Sequence, residues 1–135
     1  MVKRLAEEEG EKVLVVYRHF PLRSIHKNAE NAARASEAAS LQGKFWEMHD
    51  MLFENQEEWA RQGNPKSTFK TYAERLGLDT DKFMDDLGSS EVRNRVNKDY
   101  LTGAKANIPG TPTFFLNGER IQTPRSYAAF KGLVQ

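Results

Sequence analysis

The sequence contains no cysteine. Its 135 residues therefore hold no disulfide, no thiolate nucleophile and no cysteine-ligated metal. It also has no excess of one charge: 20 Lys and Arg face 19 Asp and Glu, a net charge of +1. Without a basic surplus there is no field to gather phosphates, so no nucleic-acid partner is expected. Long hydrophobic runs are missing too. The longest, Val13 to Tyr17, is far short of the roughly 20 residues that span a bilayer, and no membrane insertion is expected. Gly103 and Gly110 lack companions at phosphate-loop spacing. Met1-Val2-Lys3-Arg4 leads into acidic residues rather than the apolar stretch of a secretory signal.

What is present is ordinary for one globular domain. Apolar residues make up 39% and charged residues 29%. A chain of this length can build one core. Val2 to Glu9 read as a short helix ended at Gly10. Val13-Leu14-Val15-Val16-Tyr17 is a continuous β-branched and apolar run, which predicts a strand buried on both faces. Pro21 ends it. Ala29, Ala32, Ala33 and Ser36 then give a helix a small-residue face, and Gly43 marks a break.

Phe45, Met48, His49, Leu52 and Phe53 repeat at helical spacing. Beyond the Asn64-Pro65 loop, Ser67 is the expected cap of a helix carrying Phe69, Tyr72, Ala73 and Leu76, closed by Gly77. Asp79 or Thr80 caps a helix bearing Phe83 and Leu87, and Ser89 or Ser90 caps one bearing Val92, Val96 and Tyr100. Thr113 to Leu116, the pair Asn117-Gly118 and Glu119 to Ile121 predict a β-hairpin with a two-residue turn. Ser126 caps a last helix with Tyr127, Phe130, Leu133 and Val134.

Several residue groups invite a chemical reading and have a plainer one. His19, His26 and His49 are the only histidines, and no two have the spacing of a helical metal motif, so no metal site is expected. His49 reads as a partly buried, hydrogen-bonded residue beside Phe45 and Phe53. Phe45, Trp46, Phe53 and Trp59 read as core rather than as an aromatic ligand site. Glu7-Glu8-Glu9 reads as a solvated face. Asp79, Asp81, Asp85 and Asp86 read as exposed helix positions rather than an acid–base pair.

Two stretches together carry a family resemblance. One is Tyr17-Arg18-His19-Phe20-Pro21-Leu22, followed by the alanine-rich segment and Gln42-Gly43-Lys44-Phe45-Trp46-Glu47-Met48-His49. The other is Gly110-Thr111-Pro112-Thr113-Phe114-Phe115-Leu116-Asn117-Gly118. The chain resembles the DsbA-like thiol–disulfide oxidoreductases of the thioredoxin superfamily, from about residue 2 to its end. The resemblance implies an α/β fold: a thioredoxin-like mixed sheet in a single domain over 1–135, with a helical insertion at about 28–104.

In that family a central first strand precedes the first helix and delivers a Cys-X-X-Cys motif at its N-terminus, where the helix dipole favours the thiolate. Here the first helical segment has neither before it, so the expected sheet has its first central strand missing. Some five buried apolar residues at about 1.5–3 kcal/mol each amount to roughly 10 kcal/mol, comparable to a whole domain's stability of about 5–15 kcal/mol. Compensation by homo-oligomerisation through the open sheet edge is expected.

The resemblance further implies that Thr111-Pro112 is a cis-proline loop, with Thr111 and Pro112 contacting an extended peptide or a thiol protein. The implied reaction is disulfide exchange, and this chain is expected to be a truncated or degenerate member, inactive without cysteine. The alternative is a non-catalytic peptide-binding or chaperone-like module. A glutathione-dependent transferase would need a serine or similar at the start of the first helix, which is also absent. No cofactor is expected. Relatives of this type work in the cell envelope or periplasm.

Overall fold

The computed structural model describes residues 1–135 in full. They divide into two compact units, one formed by Met1–Arg18 with Ala106–Gln135, the other by His19–Lys105.

In the first unit, helix α1 (Val2–Glu9) packs against α8 (Tyr127–Gly132). Leu5 and Phe130 are the buried apolar residues of this pair. Ser126 caps α8, its hydroxyl accepting from the Ala129 N–H. The sheet consists of β1 (Phe114–Leu116) and β2 (Glu119–Ile121), antiparallel, with Phe114 opposite Ile121 and Leu116 opposite Glu119. Asn117 and Gly118 turn the hairpin with φ of 48° and 86°. Such a turn needs two positive φ values, which Asn tolerates and Gly adopts freely. Phe114 meets Phe130 edge to face at 5.1 Å, tying hairpin to helix.

One sequence expectation fails in this unit. Val13–Tyr17 forms no strand. Leu14 is 89% exposed and Val16 63% exposed. A β-branched run becomes a strand only when another strand completes its hydrogen bonds, and the two-stranded sheet includes none beside it. Glu7 and Glu8 are exposed, as the solvated face requires, and the face also carries pairings. Glu8 pairs with Arg4 at 2.7 Å and accepts from the Tyr127 hydroxyl, while Glu9 lies 3.6 Å from both Lys12 and Lys131. Two of the three glutamates thus link α1 to α8. The Tyr127 and then the Arg4 hydrogen bonds hold the Glu8 carboxyl below its ordinary value.

The second unit is helical: α2 (Ala29–Ser40), α3 (Phe45–Glu54), α4 (Gln56–Trp59), α5 (Lys66–Arg75), α6 (Thr80–Leu87) and α7 (Ser90–Lys105). Helix α2 is its hub and touches α3, α6 and α7. Its buried face runs through Ala32, Ala35, Ser36 and Ala39, with Ala29 and Ala33 only half-buried, so the small-residue stripe is rotated from the expected one. Small side chains here let three helices approach one axis closely. Around them Met48, Leu52, Trp59, Phe69, Tyr72, Phe83 and Val92 fill the core.

Local signals place most helix ends. Asp79 caps α6 by accepting from the Lys82 N–H, and the Ser89 hydroxyl accepts from Val92 N–H at the start of α7. Gly77 follows α5 at φ +73°, and Gly43 stands between α2 and α3 at φ +76°. Helix α5 begins at Lys66 rather than after Ser67, because the Asn64 carboxamide oxygen accepts from the Lys66 N–H. Asn28 is buried just before α2 and donates through Nδ2 to the carbonyls of Trp59 at 2.8 Å and Gln62 at 2.8 Å. It thereby adds a donor to the Trp59 carbonyl at the end of α4, which also accepts from the Gln62 N–H at 3.1 Å, and to the turn that follows.

Candidate functional site

The loop from Ile108 to Thr113 leads into β1. Its Thr111–Pro112 peptide bond is cis. Thr113 closes the loop on itself, its hydroxyl donating to the Gly110 carbonyl at 2.6 Å. Both Thr111 and Pro112 are exposed. Strand β1 pairs on one side only, with β2. Loop and strand thus present backbone that a further extended chain could address. The clefts of about 410 Å³ and 530 Å³ along α7 include neither Thr111 nor Pro112.

Three histidines occupy three different settings. His26 is exposed in a loop. His49 is half-buried on α3, its Nδ1 3.1 Å from Asp50 Oδ1 and its ring 4.8 Å from Phe53 and 6.0 Å from Phe45, as its spacing suggests. His19 is buried: its ring Nε2 lies 2.8 Å from Glu37 Oε1, and its backbone N–H donates to Asp99 Oδ2 at 3.2 Å. Next to it Phe20 stacks on Tyr100 at 4.7 Å, with the Arg23 guanidinium 4.2 Å from the Tyr100 ring centre. The segment from His19 to Arg23 is thus anchored on α2 and α7. The carboxylates that interact with the His19 ring and backbone come from positions 18 and 80 residues further along the chain, a pairing no local pattern announces. No group of three or more His, Asp or Glu side chains is placed to hold a metal ion.

The acidic run of α6 does not form an acid–base pair. Asp79 caps the helix and Asp86 pairs with Lys82 one turn away. The aromatic group divides. Trp59 is core, its indole N–H donating to the Leu52 carbonyl at 2.9 Å. Phe45 is half-buried, but Trp46 is 42% and Phe53 59% exposed, which corrects the reading of all four as core. Helix α3 needs only Met48 and Leu52 to bury itself, and Trp46 and Phe53 lie outside that stripe.

A family model described as thioredoxin matches residues 2–135. The chain belongs to the thioredoxin family. Its fold is thioredoxin-like, a small sheet combined with helices. The chain is 41% identical over 122 residues to a protein named Na(+)/H(+) antiporter NhaA 3 of Salinispora tropica, a match covering 90% of this chain and 18% of that protein. It is 44% identical over 119 residues to Na(+)/H(+) antiporter NhaA 1 of Mycolicibacterium vanbaalenii, covering 85% of this chain and again 18% of the relative. A third relative, Na(+)/H(+) antiporter NhaA of Herminiimonas arsenicoxydans, is 38% identical over 113 residues and is covered to 17%. The chain thus spans less than a fifth of the length of these relatives. The stretch shared with them falls within residues that match thioredoxin, and no helix here is long and apolar enough to cross a membrane.

Proposed function

We propose that this chain is a DsbA-like member of the thioredoxin family that keeps the peptide-holding part of a thiol–disulfide exchange site and supplies no thiol. The observation that carries the reading is the thioredoxin match over residues 2–135 in a chain without cysteine. In this reading it is one thioredoxin-fold domain from 1 to 135 with its helical insertion at about 28–104. Disulfide exchange begins with attack of a thiolate on a disulfide sulfur, and no residue of this chain can make that attack. In a dithiol-driven insulin reduction assay the chain is expected to turn over no faster than the buffer blank. Turnover clearly above the blank would overturn the reading.

Thr111 and Pro112 are the proposed substrate contacts, holding an extended peptide or a thiol protein by backbone pairing at the loop. Thr111→Pro removes the backbone donor before Pro112, whereas Thr111→Ala keeps it. Loss of peptide binding in the first variant, with binding kept in the second, is the expected pattern. Equal binding by both, or none by the parent chain, sinks the proposed contact. The absence of cysteine favours a second reading, in which peptide holding is the whole function, as in a chaperone-like module. The antiporter names of the relatives are not carried over, because the shared stretch is the thioredoxin-like one.

Association of copies belongs to the same proposal. Val13–Tyr17 has a strand's composition and forms no strand. We infer that it pairs with a second copy, giving a homo-oligomer. A folded, strictly monomeric chain in sedimentation equilibrium would exclude this.

A further inference from the structure

Helix α3 presents three different faces. Met48 and Leu52 point into the core and are buried. Trp46, His49 and Phe53, spaced i, i+3 and i+7, form an aromatic row beside it. The Trp46 and His49 rings lie 5.2 Å apart, and those of His49 and Phe53 4.8 Å apart, so the row is continuous. Its two ends, Trp46 and Phe53, are exposed. Next to this row, one helical step round, stand Glu47, Asp50 and Glu54, with Glu57 and Glu58 following in α4. From Phe45 to Trp59 there are five carboxylates and no Lys or Arg, in a chain whose overall charge is nearly balanced. Glu47, Glu54, Glu57 and Glu58 are all exposed.

Exposed apolar side chains scattered singly call for no explanation, but a continuous aromatic row edged by charge of one sign has the composition of an interface. The row offers rigid anchors, and the carboxylates beside it select the sign of what lies across them. We infer that this face of α3 docks a peptide segment that pairs an apolar stripe with a row of Lys or Arg. Its apolar side chains would lie along Trp46, His49 and Phe53, and its cations would face Glu47 and Glu54. The proposed surface uses neither Thr111 nor Pro112.

The test is titration calorimetry of the full chain with an amphipathic Leu/Lys peptide and with its Leu/Glu counterpart. The Leu/Lys peptide is expected to bind, more weakly as salt is raised, and the Leu/Glu peptide is not. Phe53→Ser, at an exposed position, is expected to weaken binding about tenfold or more, the usual loss on removing an aromatic anchor. Glu47→Lys with Glu54→Lys is expected to abolish preference for the basic peptide while leaving the far-ultraviolet circular dichroism unchanged. Thr111→Pro should have no effect on this binding. Equal binding of both peptides, no binding of either, or affinity unchanged by Phe53→Ser would each overturn the inference. So would self-association dissolved by Phe53→Ser, since the face would then belong to a second copy.

Discussion

Tyr72 offers a quantitative test of the helical core. Its side chain is buried between α5 and the rest of the helical unit, with the Glu58 carboxylate facing its hydroxyl. Burial, and then the negative charge of Glu58, push the phenol up to about 12 from an ordinary 10.0. The folded state thus keeps its proton where the unfolded chain, above about pH 10, has released it. The sign follows from linkage. Stability is fully present below pH 10 and is lost as pH rises towards 12, because only the unfolded state gains by ionising in that window. At about 1.36 kcal/mol per pH unit the loss reaches at most about 2.7 kcal/mol.

Tyr72→Phe removes both the titration and the hydroxyl that faces Glu58. A hydrogen bond contributes about 1 kcal/mol net, so the variant is expected to stay within about 1 kcal/mol of the parent at about pH 8. Between about pH 10 and 12 it should show a smaller decline, the difference approaching the linkage figure. Urea unfolding followed by circular dichroism, repeated across that range for both proteins, measures this directly. The reasoning fails if Tyr72→Phe loses more than about 1 kcal/mol at pH 8. It fails equally if the variant declines as steeply as the parent above pH 10.

Two other predictions concern the ends of elements. Asn28→Ala leaves the Gln62 carbonyl without its side-chain donor and the Trp59 carbonyl with only the Gln62 N–H, and should cost about 1–3 kcal/mol in urea unfolding. Asn28→Asp, which cannot donate, should be no better. Leu14→Lys changes a side chain that is already in water. It should leave chemical stability of the isolated chain within about 0.5 kcal/mol, yet abolish any association through Val13–Tyr17 seen by sedimentation.

Local chemistry was legible before the structure. The Asn117-Gly118 turn, the Ser126 and Asp79 caps, and the apolar spacing of α5, α6 and α7 each depend on residues within a turn or two of one another. Such signals survive in a single sequence because their partners lie next to them. The family resemblance was legible for a related reason. It rested on two stretches whose residue order can be compared directly, and the thioredoxin match covers the same span.

Contacts made over long separations decided the rest. Val13–Tyr17 has every local mark of a buried strand, but strand formation needs a neighbour's N–H and C=O groups, and no neighbouring strand completes it. Trp46, Phe53 and Trp59 have similar composition and different fates. Helix α3 turns two of them outward, while α4 carries the third under the Leu52 carbonyl. His19 meets Glu37 and Asp99, and Glu8 meets Tyr127, only because distant helices pack together. By itself the sequence determined which short elements could form, and that no thiol chemistry is possible within these residues. Which side chains those elements bury, pair or leave in water was decided by packing, because burial belongs to neighbours in space rather than along the chain.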